Sequence, residues 1–320
     1  MKHCQPSVLK PSPQRMPRDA RNLSGILLLD KPAGMSSNQA LQRVRHLYRA
    51  DKAGHTGSLD PLATGLLPVC FGEATKIAGL LLGSRKAYET ECLLGETTTT
   101  DDAEGEVVAR RAVPDLDEAA ICAELVKLTG TIVQIPPIYS ALKQAGVPLY
   151  RRARRGEAVE APPRQVDVHH FQLIENSGHC LRLHVECGSG TYVRSLVRDL
   201  GEQLGCGAHV TALRRLWVAP FRAPRMYCLD QLGALAETGL HALDQCLLPL
   251  EQGLADYPAV HVDVAAAQRL RQGQTVDVAV AVAAGRCVAL DASGAAIALA
   301  DCDGEGKLCA LRGFNPRIDA

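Results

Sequence analysis

The sequence predicts an α+β protein with a smaller β-rich unit at its C-terminal end. Three observations carry that prediction. Strand-length apolar or alternating runs recur at 24–30, 86–95, 166–174 and 180–187. Between and after them, residues 37–48, 117–129 and 193–204 set apolar side chains at helical spacing. From about Tyr257 the chain changes to short Val and Ala runs punctuated by glycine, the pattern of a small all-β unit. At 320 residues the chain is long enough for a large core and two domains.

Residues 1–21 carry Lys2, Lys10, Arg15, Arg18 and Arg21 against a single acid, Asp19, with four prolines and no apolar segment. A disordered basic arm is expected there, not a signal peptide. The buried strand at 24–30 leads through the turn Lys31-Pro32-Ala33-Gly34 into a helix. Ser37 is its expected N-cap, and Leu41, Val44, Leu47 and Tyr48 form its inner face. Residues 73–82 read as a helix with Ile77, Leu80 and Leu81 inward. Residues 86–95 read as a strand with Tyr88, Thr90, Cys92 and Leu94 on one face. The helix at 117–129 turns Ile121, Leu125 and Leu128 to one side and is closed by Gly130. After the strands at 166–174 and 180–187, Val193, Leu196, Val197, Leu200 and Leu204 give the core face of another helix. Arg194 lies in its first turn, off that face. The helix dipole disfavours a cation there, so a partner anion is expected. Residues 229–254 are Leu- and Ala-rich and helical in flavour.

Composition narrows the function. Hydrophobic content of 47% and charged content of 22% are those of an ordinary globular protein. Lys and Arg number 35, and so do Asp and Glu, so any nucleic-acid surface must be a local patch. The densest positive cluster is Arg151, Arg152, Arg154 and Arg155. The twelve cysteines include no C-x-x-C pair, and most sit singly in apolar runs, as Cys70, Cys92 and Cys122 do. They read as buried, reduced thiols of a cytoplasmic protein. Strand alternation sets His184 on the face opposite Cys187, so no metal site is expected from Cys180, His184 and Cys187. No apolar run approaches membrane-spanning length. Neither a G-x-G-x-x-G opening a helix nor a G-K-[ST] loop occurs, and no small-molecule cofactor is expected.

One loop has unusual content. Gly54-His55-Thr56-Gly57-Ser58-Leu59-Asp60-Pro61-Leu62-Ala63-Thr64-Gly65 holds a lone carboxylate beside a proline and among glycines. Pro61 fixes its own φ and pushes Asp60 out of the helical region. Leu66, Leu67, Val69, Cys70 and Phe71 follow, which suggests an acid at the mouth of a pocket whose floor is core. An Asp-Pro pair alone is an ordinary turn signal.

The full string GHTGSLDPLATGLLPVCFGEATK resembles the catalytic signature of the TruB family of tRNA pseudouridine synthases. D-K-P-x-G-M-S-S near Lys31, Q-I-P-P-x-Y-S-A-L-K at 134–143 and C-x-x-G-T-Y-x-R-S-L at 187–196 resemble further family motifs. The likeness covers about 23–220. It implies a mixed, mainly antiparallel sheet flanked by helices, in a catalytic domain at 22–250. An RNA-clamping insertion is implied at about 131–160 and a PUA-like domain at 257–320. The implied activity is isomerisation of uridine 55 in the T-loop of tRNA, by a monomer that binds the T-arm without metal or cofactor.

The same likeness assigns residues. Asp60 is the catalytic aspartate, Arg194 its partner, and Tyr88 the tyrosine packed against the target base. Tyr192 and Leu213 line the uridine pocket. Lys143, Arg151, Arg152, Arg154 and Arg155 contact RNA, and Arg214 and Arg215 meet phosphate. Lys31 is a phosphate contact or a support for the floor. His55 occupies the gap left by the extruded uridine, contacts the T-loop, or is simply a hydrogen-bonded loop histidine. Where the family usually carries a further Asp, this chain has Thr99, which leaves the role of Asp102 open.

Breaking the C1′–N1 bond and forming C1′–C5 needs one ionised carboxylate as nucleophile or base. Arg194 is expected to lower the Asp60 pKa against the rise that burial causes. Two other readings stand beside this one: a tRNA-binding and folding module with an idle site, and a glycosidase using Asp60 with Asp102.

Overall fold

A computed structural model of the chain describes residues 20–140, 142–144, 146–278 and 283–315. The expected basic arm therefore lies outside the described residues up to position 19. Its last residue, Arg21, is held by backbone bonds to Arg49 and Asp51 and by an ion pair with Asp244.

The first apolar run forms β1 (Gly25–Lys31), buried along nearly its whole length. Helix α1 (Ser37–Leu47) follows and buries Ala40, Leu41 and Val44. Its N-cap is Ser36, one residue earlier than expected, because Gln39 closes a capping box with it. Strands β2 (Ala53–His55) and β3 (Thr64–Phe71) flank the Asp60 loop. The expected helix at 73–82 is split into a 3₁₀ turn, Gly72–Ile77, and α2 (Ala78–Gly83). Next come β4 (Lys86–Leu94), the hairpin β5 (Glu96–Thr98) and β6 (Val107–Arg110), and α3 (Glu118–Lys127), capped by Asp117. The middle of the chain holds β7 (Gly130–Gln134), the ribbon β8 (Lys143–Gln144) and β9 (Val147–Pro148), and α4 (Leu149–Ala153). The long pair β10 (Arg164–Asn176) and β11 (Cys180–Cys187) leads to α5 (Val193–Gln203) and β12 (Ala208–Val218).

The main sheet has the order β1-β3-β12-β4-β11-β10-β7, with β2 added on β3. Every pairing is antiparallel except β12 with β3, which run parallel at Arg214–Thr64 and Arg215–Gly65. That one parallel contact sets the Asp60 loop beside the strand carrying Leu213. Helices α3 and α5 cover one part of the sheet with Leu125, Val197 and Leu200. Helices α1, α6 (Leu229–Thr238) and α7 (Leu240–Asp244) cover the β1–β3 end.

The C-terminal unit is a five-stranded sheet in the order β13-β15-β16-β17-β14, over Ala259–His261, Gly285–Leu290, Ala296–Cys302, Lys307–Gly313 and Val276–Asp277. It is not all-β, because α8 (Val264–Arg271) crosses it with Ala267 and Leu270 buried. Val288, Leu299 and Phe314 of this unit share a core with Ile26, Leu28 and Ile77. Cys70 and Cys92 are buried as expected, whereas Cys122 is exposed on the outer side of α3. Among the described residues no helix is long and apolar enough to cross a membrane.

Candidate active site

The turn after β1 fastens the Asp60 loop from behind. Ser37 Oγ accepts from the Leu59 amide at 2.7 Å and donates to the Leu59 carbonyl at 3.1 Å. The Gly34 amide donates to the Pro61 carbonyl at 2.8 Å. Lys31, fully buried, gives its ammonium protons to the carbonyls of Pro32 at 2.7 Å, Met35 at 2.6 Å and Pro61 at 3.4 Å. Burial lowers its pKa to about 8, with Asp60 acting against that. Of the two roles expected for Lys31, phosphate contact is corrected, because the amine faces carbonyls and not solvent. Its ammonium ties the turn after β1 to the Asp60 loop at the Pro61 carbonyl.

Arg194 meets Asp60 from α5. Its guanidinium is 4% exposed and lies 3.0 Å from Asp60 Oδ2 and 3.3 Å from Asp102 Oδ2. It also donates to the carbonyls of Thr100 at 2.8 Å and Tyr139 at 3.0 Å. Asp102 is buried, and its other oxygen accepts from Thr100 Oγ1 at 2.5 Å and the Glu104 amide at 3.1 Å. One cation thus bridges two carboxylates. As expected, Arg194 pulls the Asp60 pKa down against burial, but it does not overcome it. The net shift is upward: burial is the largest cause, the attraction of Arg194 opposes it, and the charge on Asp102 adds to the rise.

A cleft of about 370 Å³ brings Asp60, Tyr88, Tyr192, Arg194 and Leu213 together. Tyr88 is 8% exposed on β4, and burial raises its pKa to about 12 against the pull of Arg215. Gln134 of β7 fixes the Tyr192 backbone by accepting from its amide at 2.8 Å and donating to its carbonyl at 3.1 Å. The Arg164 guanidinium stacks 4.9 Å from the Tyr192 ring. On the other side of Asp60 a cavity of about 1030 Å³ is lined by His55, Asp102, Tyr139, Tyr150 and Arg154. His55 accepts the Gly57 amide on Nδ1 at 3.4 Å, and burial together with Arg215 lowers its pKa.

The arginines divide into two groups. Arg151, Arg154 and Arg155 are exposed, and Arg151 and Arg154 flank the Tyr150 ring at 5.9 and 5.7 Å. Lys143 is exposed on β8. Arg152 is engaged with Glu157 at 2.7 Å and Gln144 at 2.6 Å. Arg214 forms a two-pronged ion pair with Asp30 at 3.0 and 2.8 Å, so its charge is already met. Arg215 is corrected outright as a phosphate ligand. It is 1% exposed and donates to the carbonyls of Leu66 at 2.6 Å and Gly57 at 3.2 Å. Sequence reasoning also missed Ser37, Tyr139, Tyr150 and Lys86 at these cavities. The D-D pair at 101–102 was the one available signal for Asp102.

Residues 45–193 match the family described as TruB family pseudouridylate synthase, N-terminal domain. Residues 194–255 match the tRNA pseudouridylate synthase B C-terminal domain. Proteins named tRNA pseudouridine synthase B from Xanthomonas campestris pv. campestris (strain 8004) and Xylella fastidiosa (strain Temecula1) are 58% and 57% identical over 295 residues. Those matches span 92% of this chain and 95% and 97% of the relatives. The chain belongs to the TruB family of pseudouridylate synthases. As a TruB-family protein it is an isomerase.

Solved structures agree on the fold. A Cbf5–Nop10–Gar1 complex gives a TM-score of 0.71 at 24% identity, over 92% of this chain and 85% of that one. An H/ACA RNP bound to a substrate RNA containing 2′-deoxyuridine gives 0.70 at 23%, over 92% and 86%. The mixed sheet with flanking helices is therefore the TruB-type architecture, and the C-terminal sheet is consistent with a PUA-like domain.

Proposed function

We propose that the protein isomerises uridine 55 in the T-loop of tRNA to pseudouridine, acting on a nucleotide swung out of the stack, with Asp60 as nucleophile or base. The observation that carries this reading is the Asp60–Arg194 pair at 3.0 Å in a cleft walled by Tyr88, Tyr192 and Leu213. Extruding a uridine costs a few kcal/mol, which aromatic and apolar walls offset. Asp60 keeps 38% of its side chain exposed, so a reacting sugar can reach it, while Arg194 and Asp102 lie behind it almost fully buried. Arg151, Arg154 and Lys143 are exposed cations that meet the T-arm backbone, joined by Arg155, whose contact to Glu157 at 3.8 Å is long and solvent-facing. The working division is a catalytic domain at 22–250, a clamp at about 131–160 and a PUA-like domain at 257–320.

The test is pseudouridine mapping in an unmodified tRNA transcript incubated with the purified protein alone. Wild type should modify position 55. Asp60→Asn should modify nothing while still retaining the transcript on a filter. The reading of a binding and folding module with an idle site predicts no modification by wild type either. A modified position other than 55 would overturn the T-loop assignment.

A further inference from the structure

Resting on the function proposed above, we propose that Lys86 and Arg215 form a cationic floor that stabilises negative charge developing on the uracil ring during isomerisation. Both residues line the 370 Å³ cleft that holds Asp60 and Tyr88. Both are buried, at 7% and 1% exposure. Among the described residues neither is paired with a carboxylate. Lys86 donates to the carbonyls of Leu82 at 2.9 Å and Ser84 at 2.6 Å, which leaves one ammonium proton. Arg215 donates to the carbonyls of Leu66 and Gly57. The two flank the same backbone: a Cβ built on Gly57 would lie 3.8 Å from Arg215 Nη1 and 3.9 Å from Lys86 Cε.

Two neighbouring buried cations without a carboxylate repel each other and cost desolvation energy. Burial, with the repulsion from Arg215 adding to it, brings the Lys86 pKa down to about 8. Such an arrangement suits an anion that arrives with the substrate. Arg194 is not available for that role, because Asp60 and Asp102 already share it.

The chemistry supplies the anion by any of three routes. If the Asp60 carboxylate attacks C1′, a C1′–O bond forms, C1′–N1 breaks, and its pair spreads over N1, O2 and O4 of uracil. If Asp60 takes the C2′ proton, C1′=C2′ forms and the same pair leaves with the ring. If Asp60 attacks C6, the C5=C6 pair moves onto O4. Each route puts one negative charge on the ring. In the first, C5 bonds C1′ as the C1′–O bond to Asp60 breaks and returns the carboxylate; in the second, C5 bonds C1′ as Asp60 returns its proton to C2′; in the third, C1′–N1 breaks and C5–C1′ forms, and loss of the C5 proton expels Asp60 from C6. In all three N1 gains a proton and C5 loses one, which leaves the ring neutral. Fixed cations in a water-poor cleft lower the energy of that state without reorganising.

Lys86→Met keeps the stem and removes the charge, and Lys86→Arg keeps the charge. The probe is a tRNA transcript carrying uridine or 5-fluorouridine at position 55, with glycosidic-bond cleavage followed in a single turnover at saturating RNA. Fluorine stabilises a uracil anion by itself, so the need for the floor shrinks. Lys86→Met should slow uridine cleavage by about 100-fold, and 5-fluorouridine cleavage by about 10-fold or less, with RNA affinity within about twofold of wild type. Lys86→Arg should recover most of the uridine rate. Equal deficits on the two substrates would overturn the proposal and mark a packing role, which a matching fall in melting temperature would identify. A deficit confined to affinity would also overturn it and leave Lys86 a role in binding alone. Inactive wild type on uridine would instead refute the underlying function.

Discussion

Removal of Arg194 isolates what its charge does for Asp60. The pair is 3.0 Å apart, where opposite charges attract by about 5 kcal/mol at an effective dielectric of about 20. Asp60 is 38% exposed, so solvent screens a good part, and roughly half, about 2–3 kcal/mol, is a fair net value. That is a factor of roughly 30 to 160 in the ionisation equilibrium of the carboxyl. Burial already raises the Asp60 pKa, and taking away the cation raises it further. On the proposed function the working form of Asp60 is the carboxylate, so the rate should climb as pH rises through this pKa. Arg194→Met should therefore move the acid limb of the rate profile to higher pH. Activity lost at neutral pH should return, in part, under alkaline conditions. Tritium release from C5-labelled uridine, in single turnovers across pH, reads this directly. The substitution also leaves Asp102, 3% exposed, without its cation, at a cost of about 3–5 kcal/mol. Arg194→Met combined with Asp102→Asn removes that orphan charge and should restore the melting temperature. Its limb should remain above that of wild type, though less far, because the repulsion from Asp102 is gone. A loss of equal size at every pH, in both variants, would refute the electrostatic reasoning.

Three further outcomes are expected. Replacing Arg151, Arg154 and Arg155 with Gln should reduce the slope of log affinity against log salt by about 2–3 units in filter binding, and an unchanged slope would remove the clamp. Gly65→Ala should cost more than about 3 kcal/mol in denaturant unfolding, because φ is +96° and the new Cβ would sit 2.2 Å from the Arg215 carbonyl oxygen; a loss under about 1 kcal/mol would mean that β3 and β12 part easily. Deleting 257–320 should lower the melting temperature, since Val288, Leu299 and Phe314 share a core with Leu28 and Ile77. Below its own melting point the truncated protein should keep the chemical step at saturating RNA and lose affinity, and loss of the step itself would show that the unit does more than bind.

How much of this was legible depended on sequence distance. The catalytic loop is local: Asp60, Pro61 and their glycines are contiguous, so their backbone constraints could be read directly. Strands β4 and β11 declared themselves because their alternation is unbroken, from Tyr88 to Leu94 and from Leu181 to Cys187. Strand β12 did not. Bulges between Val210 and Ala212 and between Arg215 and Trp217 break its alternation, and so hid that Arg214 and Arg215 belong to a central strand. The same break explains the error at Arg215. Two adjacent arginines look like a surface patch, yet consecutive strand residues point to opposite faces, so one pairs with Asp30 and the other turns inward beneath the Asp60 loop, at the bottom of the cleft. Helix α8 was lost because Ala and Val are common to both kinds of element in so short a run.

The site's electrostatics were the least legible part, and the reason is physical. Helix position alone demanded an anion for Arg194, and Asp60 answers that demand. Position could not say that a second anion would also come, from residue 102, through a loop held by Thr100 and the Glu104 amide. Arg194 pulls the Asp60 pKa down, and Asp102 pushes it up alongside burial. With two carboxylates and a buried setting, burial wins and the pKa of Asp60 goes up. A raised pKa keeps the carboxylate basic and nucleophilic while Arg194 still fixes its direction. The second acid adds to the upward shift that burial sets, and on the proposed function Asp102→Asn, by relieving the repulsion, should shift the acid limb to lower pH.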